Sequence, residues 1–400
     1  MSKKCILAYT SMYLDPDGSV RPCCIASPFE ERLNWNDFET VEEIYNSKQM
    51  KQLRKSMDDG EPMSVCDVCF KGGNFLKDVW NERWEDKLKD PDLYDEEYNI
   101  RGLHHLDARF SNLCNLKCRM CGPGLSTSWY DDFKAILGAH GENWIENLEK
   151  IDPDPVDKFT TKDLIRVEHM NVGGGEPFIS GDFFKLLDRF GPNQSKRMTI
   201  YINTNLSNLK YRGENVLDKL TKFQHVTLGC SCDGYGKIGE YQRTGFNSDR
   251  FFRNLKTLTD FCKTHKNIKP SVEYTITTMN VFHIYDFIDF IVNNTDLDYE
   301  GIHMHWASTP YYFAPSLAPP NLKSRIIKYI EKGLDNPVYS TLINDKLREF
   351  YNHLQLDPKP IRDISNYKVD VKHWIDTMDS LRGDSYKDVC PWVEEIFEIE

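Results

Sequence analysis

The sequence predicts an α/β fold, a partial barrel of six β/α units preceded by a small cysteine-rich domain and followed by a helical extension. Three observations lead there. Between about residues 100 and 310, short apolar runs alternate with helical patterns, which is the mark of parallel strands joined by right-handed crossovers. The first 95 residues carry five cysteines and little strand pattern. Beyond Pro319-Pro320 the periodicity turns helical and stays so to the end. The expected division is 1–95, 96–315 and 316–400.

The strand candidates are His105–Phe110, Arg166–Val172, Met198–Asn203, His225–Cys230, Ser271–Thr277 and Ile302–Trp306. Helical candidates between them include Gly181–Phe190, Arg250–His265 and Ile284–Val292. Six such units fall short of the eight of a closed barrel, so an open, TIM-like barrel is expected. The stretch Gly138–Asp157, with Asp152-Pro153-Asp154-Pro155, interrupts the rhythm and reads as a surface insertion. Near the N-terminus a single amphipathic helix is expected from Val41 to Met57, and Asp17-Gly18 reads as a hairpin turn. The acidic run Asp90–Glu97 reads as a linker.

Composition narrows the function classes. The formal net charge is -12, from 50 basic and 62 acidic residues. Duplex binding calls for a basic stripe, so nucleic acid is not the expected partner. No apolar run of about eighteen residues is present, so no membrane span is expected. The start of the chain leads straight into domain-like sequence, and a cytoplasmic protein is expected. In a reducing compartment its 12 cysteines read as ligands and not as disulfides.

The sharpest motif is Cys114-Asn115-Leu116-Lys117-Cys118-Arg119-Met120-Cys121, just after the first β run of the core. An iron–sulfur cube takes one thiolate per iron. Three thiolates in one short loop leave one iron open to a chelating ligand. Soft thiolates favour iron–sulfur or zinc over hard metals. A zinc site would want a fourth cysteine or histidine nearby, and none follows closely.

With this C-x3-C-x2-C spacing in a βα context, the chain resembles the radical S-adenosylmethionine (SAM) superfamily. The resemblance implies a [4Fe–4S] cluster on Cys114, Cys118 and Cys121 whose open iron binds the amino and carboxylate groups of SAM. It further implies reductive cleavage of SAM to a 5′-deoxyadenosyl radical that abstracts hydrogen from a substrate. Met120 stands where the family often has an adenine-contacting aromatic residue. Methionine can pack on a purine through its polarizable sulfur. Gly173-Gly174-Gly175-Glu176-Pro177 resembles the family's SAM-amino-binding motif, with Gly174, Gly175 and Glu176 as its contacts. Asn205, in Asn203-Thr204-Asn205, falls at the end of the third run. Leu228–Gly234 followed by Arg243-Thr244-Gly245 resembles the S-x-D-G … R-x-G stretch of peptide-modifying members. There Ser231 and Asp233 would bond the SAM ribose and Arg243 would pair with its carboxylate.

A second set, Cys5, Cys23, Cys24, Cys66 and Cys69, lies within the first 70 residues. Its order of hairpin, cysteine, helix and C-x2-C resembles the twitch or SPASM module, which holds auxiliary [4Fe–4S] clusters. Here the module precedes the core. The implied ligands are Cys23, Cys66 and Cys69, with Cys5 as the fourth and Cys390 as its rival. Cys24 reads as a packing thiol or a spare, and stays open with Cys390 as an alternative fourth ligand. Structural zinc is the competing use of such a set.

The expected substrate is a peptide or protein, with a nucleotide or sugar as the alternative and a flavodoxin or ferredoxin as reductant. An electron-relay protein without catalysis is the alternative of another class. His303 and His305 share one face of the sixth run and are possible substrate-side groups. No catalytic acid or base is assigned.

Overall fold

A computed structural model of the chain describes residues 4–72, 76–151, 155–356 and 367–397. Asp152, Pro153 and Asp154 of the expected insertion lie outside the described residues. The chain divides into two compact units, which are taken in turn. The first holds residues 1–113, 142–202 and 218–226, and the second holds the rest.

The first unit is built on the strands β1 (Ser11–Leu14), β2 (Val20–Arg21), β3 (His105–Ala108), β5 (His169–Val172) and the start of β6 (Thr199–Thr204). Their order is β2-β1-β3-β5-β6. β1 and β2 form the antiparallel hairpin expected at Asp17-Gly18, where Gly18 takes a φ of 81°. The remaining pairs are parallel, in the register Ser11, His105, His169, Thr199 and then Tyr13, Asp107, Asn171, Tyr201. Alternation therefore gives the sheet one polar face. The other face carries Met12, Leu106, Met170 and Ile200, each 1% exposed or less. β1 was not among the expected core strands, yet it joins this parallel row beside β3.

Two helices replace the single one expected between Val41 and Met57, namely Val41–Tyr45 and Lys48–Asp58. Thr40 and Glu43 form a reciprocal capping box at the start of the first. The break falls at Asn46-Ser47, where Asn46 turns its side chain to the backbone of Ile100. An asparagine that bonds a distant backbone in this way cannot also continue the helix smoothly.

The second unit holds the end of β9 (His225–Ser231), β11 (Ile268–Ile276) and β12 (Ile302–Trp306). β9 lies beside β11, and β11 pairs in parallel with β12. Val272, Tyr274 and Ile276 form the apolar face, and Tyr274 stacks on Phe287 of the helix Ile284–Asn294 at 4.4 Å. Two short ribbons complete the unit: β4 (Lys117–Cys118) with β10 (Arg243–Thr244), and β7 (Lys210–Tyr211) with β8 (Glu214–Asn215). The expected helical extension is present as Pro320–Glu331, Thr341–Gln355 and Tyr367–Arg382. All six expected core strands are thus present, with ends shifted by a few residues. Among the described residues no helix is long and apolar enough to cross a membrane.

Candidate functional site: two groups of thiols

Cys114, Cys118 and Cys121 stand on one loop of the second unit, and the loop is held by its own surroundings. Ser128 Oγ donates to the Cys114 carbonyl at 2.8 Å, and Ser126 Oγ to the Leu116 carbonyl at 2.6 Å. Trp129 Nε1 donates to the Cys118 carbonyl at 3.0 Å. The Arg243–Cys118 and Thr244–Lys117 pairs of β10 and β4 close the other side. Gly245, at φ 94°, lies under the loop, where a Cβ would meet the Asn115 carbonyl oxygen at 3.2 Å. Glycine there lets the two backbones approach.

The sulfurs are already in a hydrogen-bonding environment. The Leu116 amide donates to Cys114 Sγ at 3.5 Å, and Asn205 Nδ2 to the same sulfur at 3.8 Å. Arg243 Nη1 donates to Cys118 Sγ at 3.9 Å. Burial pushes the Cys121 thiol up to about 12, helped by the neighbouring Cys118 and Cys114. Cys118 is raised too, by burial first, with Arg243 opposing. Such thiols stay protonated near neutrality until a cation replaces the protons. Three half-buried thiols on one loop, with Cys118 and Cys114 each acting on Cys121 and N–H donors on two of the sulfurs, fit an iron–sulfur group.

Asp233 and Arg243 form an ion pair with little exposure to solvent. Arg243 Nε donates to Asp233 Oδ2 at 2.6 Å, and the Thr275 amide donates to Oδ1 at 2.9 Å. Asp233 is 0% exposed. Burial works to lower the Arg243 pKa, but Asp233 and Cys118 outweigh it and leave the guanidinium raised. Asn205 likewise serves the loop, giving a 3.0 Å bond to Asn115 in addition to the contact with Cys114. Met120 and Ser231 are half-buried. Cys230 and Cys232 are fully buried, while Cys390 sits near Arg119 and Asp379.

A third polar cluster of this unit was only partly foreseen. On the polar face of β11 and β12, Glu273 is the register partner of His303. His303 Nδ1 lies 2.8 Å from Glu273 Oε1, and His305 Nε2 lies 3.0 Å from Oε2. Ser271 Oγ donates to Oε1 at 2.8 Å. Because an ionised carboxylate only accepts, both imidazoles are fixed with the facing nitrogen protonated. Burial pushes the Glu273 carboxyl up, but the bonds from His303 and His305 more than reverse this, so it lies well below the carboxylate range. The bond to Glu273 raises His303 above its ordinary value.

The first unit holds the glycine motif and the N-terminal thiols. Gly174 has a φ of 95°, and a Cβ on Gly175 would lie 2.2 Å from the Leu113 carbonyl oxygen. The amides of Gly175 and Glu176 donate to Ser111 and Leu113 at 2.8 and 2.7 Å. The close approach that needs glycine here is therefore to the chain entering the cysteine loop. Glu176 is buried, and its Oε1 accepts from the Phe178 amide at 3.0 Å.

Cys5, Cys23, Cys66 and Cys69 are electrostatic neighbours. Burial pushes Cys5 up to about 11, with Cys69 adding to it. Burial takes Cys23 up to about 12, with Cys24 and Cys5 adding. Cys66 is raised by burial and then by Cys5, Cys23 and Cys69. Cys24 is exposed and lies instead near Asp107, Arg109 and Arg21. Among the described residues no three such side chains converge on a point that would hold a single metal ion. Four neighbouring thiols match the one thiolate per iron that an iron–sulfur group takes.

Residues 5–70 match the family model of SPASM, an iron–sulfur cluster-binding domain. This stretch contains all four of those thiols and Cys24. No curated protein matches the sequence. Among solved structures the chain is similar to native anSMEcpe with bound AdoMet and Cp18Cys peptide, at 15% identity and a TM-score of 0.34. That match covers 63% of this chain and 62% of the other, so the chain spans less than two thirds of its length. It is similar to SuiB of Streptococcus suis bound to the precursor peptide SuiA, at 14% identity and a TM-score of 0.33, over 75% and 66% of the two chains. For TYW1 with a lysine-pyruvate adduct bound, identity is 13% and the TM-score 0.30, over 55% and 70%.

Proposed function

We propose that this chain is a radical SAM enzyme of the twitch/SPASM type, acting on a peptide or protein substrate. The observation that carries the reading is the loop of Cys114, Cys118 and Cys121, whose three half-buried thiols lie with N–H donors from Leu116, Asn205 and Arg243. When bound there, a [4Fe–4S] cluster supplies the electron that cleaves SAM, and the radical chemistry follows from the cofactor.

The chain's own residues do the placing. Arg243, fixed by Asp233, puts a cation beside Cys118 and lowers the cost of holding thiolates. Met120 contacts the adenine, Ser231 the ribose, and Gly174, Gly175 and Glu176 the amino group of SAM. Residues 1–95 carry the auxiliary cluster on Cys5, Cys23, Cys66 and Cys69; residues 96–315 form the core, and 316–400 the helical extension. Held by four thiolates, the auxiliary cluster would offer no open iron to SAM, and residues 1–95 would use it to accept an electron or to hold the N-terminal domain in place. A flavodoxin or ferredoxin reduces the enzyme, and the setting is the cytoplasm. The net charge of -12 and the Ser231–Gly245 stretch favour a peptide over a nucleotide or sugar.

Anaerobic reconstitution with SAM and dithionite tests the reading. Formation of 5′-deoxyadenosine supports an enzyme, and a loaded protein that forms none is an electron relay.

A further inference from the structure

The helix Tyr367–Arg382 brings groups to the cysteine loop that the proposed function leaves unused. Their role rests on Cys114, Cys118 and Cys121 holding the SAM-binding cluster. Arg382 ends this helix with a side chain 0% exposed. Its Nε donates to Asp132 Oδ2 at 3.0 Å, and its Nη1 to Thr244 Oγ1 at 3.2 Å. Its Nη2 is buried and has no hydrogen-bond partner among the described residues. The guanidinium lies over the Trp129 ring at 4.4 Å, and Trp129 is the residue that donates to the Cys118 carbonyl. Thr244 is the register partner of Lys117, beside Cys118. Burial lowers the Arg382 pKa, while Asp132 and the Cys118 thiol draw it back up.

This arginine is held in place and is not a mobile surface group. Arg119, between Cys118 and Cys121, reaches Asp379 at 2.8 Å and Asp384 at 2.9 Å. It also stacks on Tyr241 at 3.7 Å, and Tyr241 donates to Asp379 at 3.0 Å. Trp374 stacks on Trp129 at 5.8 Å.

The charges are unevenly placed: Arg119 faces two carboxylates, Asp379 and Asp384, whereas Arg382 and Lys117 share one. Asp132 is shared between Arg382 and Lys117, the latter at 2.8 Å, so two cations face one carboxylate. Arg243 is neutralised separately by Asp233. A buried N–H without a partner carries the full cost of its lost hydration, which a sulfur ligand at this position would repay. Net charge and hydrogen bonds to the sulfurs are what set the reduction potential of an iron–sulfur cluster.

We propose that Arg382 is a positioning residue of the core cluster, placing a fixed cation and a free N–H donor beside the group held by Cys118 and making that group easier to reduce. The C-terminal helix thereby becomes part of the redox site.

The test compares parent, Arg382→Gln and Arg382→Lys after anaerobic reconstitution. Iron is counted, and the SAM-responsive signal is followed by electron paramagnetic resonance during a redox titration. Arg382→Gln is expected to keep the parent's iron and to disfavour reduction about tenfold, a midpoint about 59 mV more negative for one electron. Arg382→Lys, which keeps the charge, is expected to recover most of the shift. An unchanged midpoint in fully loaded Arg382→Gln overturns the proposal. So does an unchanged midpoint with weakened SAM binding, which assigns the N–H to SAM. If Arg382→Gln does not accumulate, Asp132→Asn removes the offsetting carboxylate and should move the midpoint the opposite way; no movement there overturns the proposal equally. A parent with iron but no SAM-responsive signal refutes the cluster assignment itself, a failure visible before any variant is made.

Discussion

Replacing Asp233 by asparagine tests whether the Asp233–Arg243 pair holds the site together. The substitution keeps the shape and leaves an oxygen to accept from the Thr275 amide, now at 2.9 Å. What it removes is the charge facing Arg243 Nε at 2.6 Å, in a pair whose side chains are 0% and 12% exposed. Breaking a buried pair on one side leaves the other charge uncompensated and costs about 3–5 kcal/mol, whereas an exposed pair is worth about 0–1 kcal/mol. Arg243→Gln should cost a similar amount, because it strands Asp233. The double variant should cost less than the sum by about 0.5–3 kcal/mol, the usual coupling of contacting residues. The assay is equilibrium urea unfolding of the metal-free, reduced protein, followed by tryptophan fluorescence. Single-variant losses below about 1 kcal/mol, or strictly additive losses, would show that the pair does not support the loop.

Three further outcomes are expected. Glu176→Ala should weaken SAM binding by about 1.5–3 kcal/mol and loosen the turn capped at Phe178, whereas Glu176→Gln should keep the turn and lose the affinity; equal SAM affinity in all three proteins rejects the role. Glu273 lies below the ordinary carboxyl value and His303 above the ordinary imidazole value. The Glu273 contribution is therefore complete above about pH 4.3 and lost on acidification, and that of His303 is complete below about pH 6.5 and lost as pH rises through its raised value. Stability should fall as the pH rises above the ordinary imidazole value of about 6.5, and Glu273→Gln should flatten that fall; parallel curves of thermal midpoint against pH contradict it. Removing Cys66 and Cys69 should spare some 5′-deoxyadenosine formation, provided the core cluster is intact by absorption and paramagnetic resonance, while substrate turnover is lost. Normal modification of substrate by that variant would refute the proposed division of labour.

The strands were legible because runs such as His225–Cys230 and Ser271–Thr277 are short, apolar and bounded by turns. β1 was not, because Ser11–Leu14 is four residues long and its parallel partner stands 94 residues away. The cysteine loop was legible from spacing alone. The roles around it were harder to read, since a motif gives residue types and not their partners. The sequence names Asp233 and Arg243 without showing that they are bonded to each other. Glu273 is one acid in a strand until the register with β12 sets it between two histidines. Arg382 lies far beyond the loop in sequence, and Asp384 is 265 residues beyond Arg119; nothing local to either end signals such a contact. The N-terminal order of hairpin, cysteine and C-x2-C was legible because all three are local features.

The central claim, that Cys114, Cys118 and Cys121 hold a cluster which cleaves SAM, is tested most directly by one paired measurement. Iron content and 5′-deoxyadenosine are determined together for the parent and for the chain with all three cysteines replaced, after the same anaerobic reconstitution. The parent should bind about eight irons, from two cubes of four, and form 5′-deoxyadenosine under dithionite. The triple variant should keep about half the iron, on Cys5, Cys23, Cys66 and Cys69, and form none. An unchanged iron count in the triple variant, or 5′-deoxyadenosine formed without those three thiols, would contradict the account.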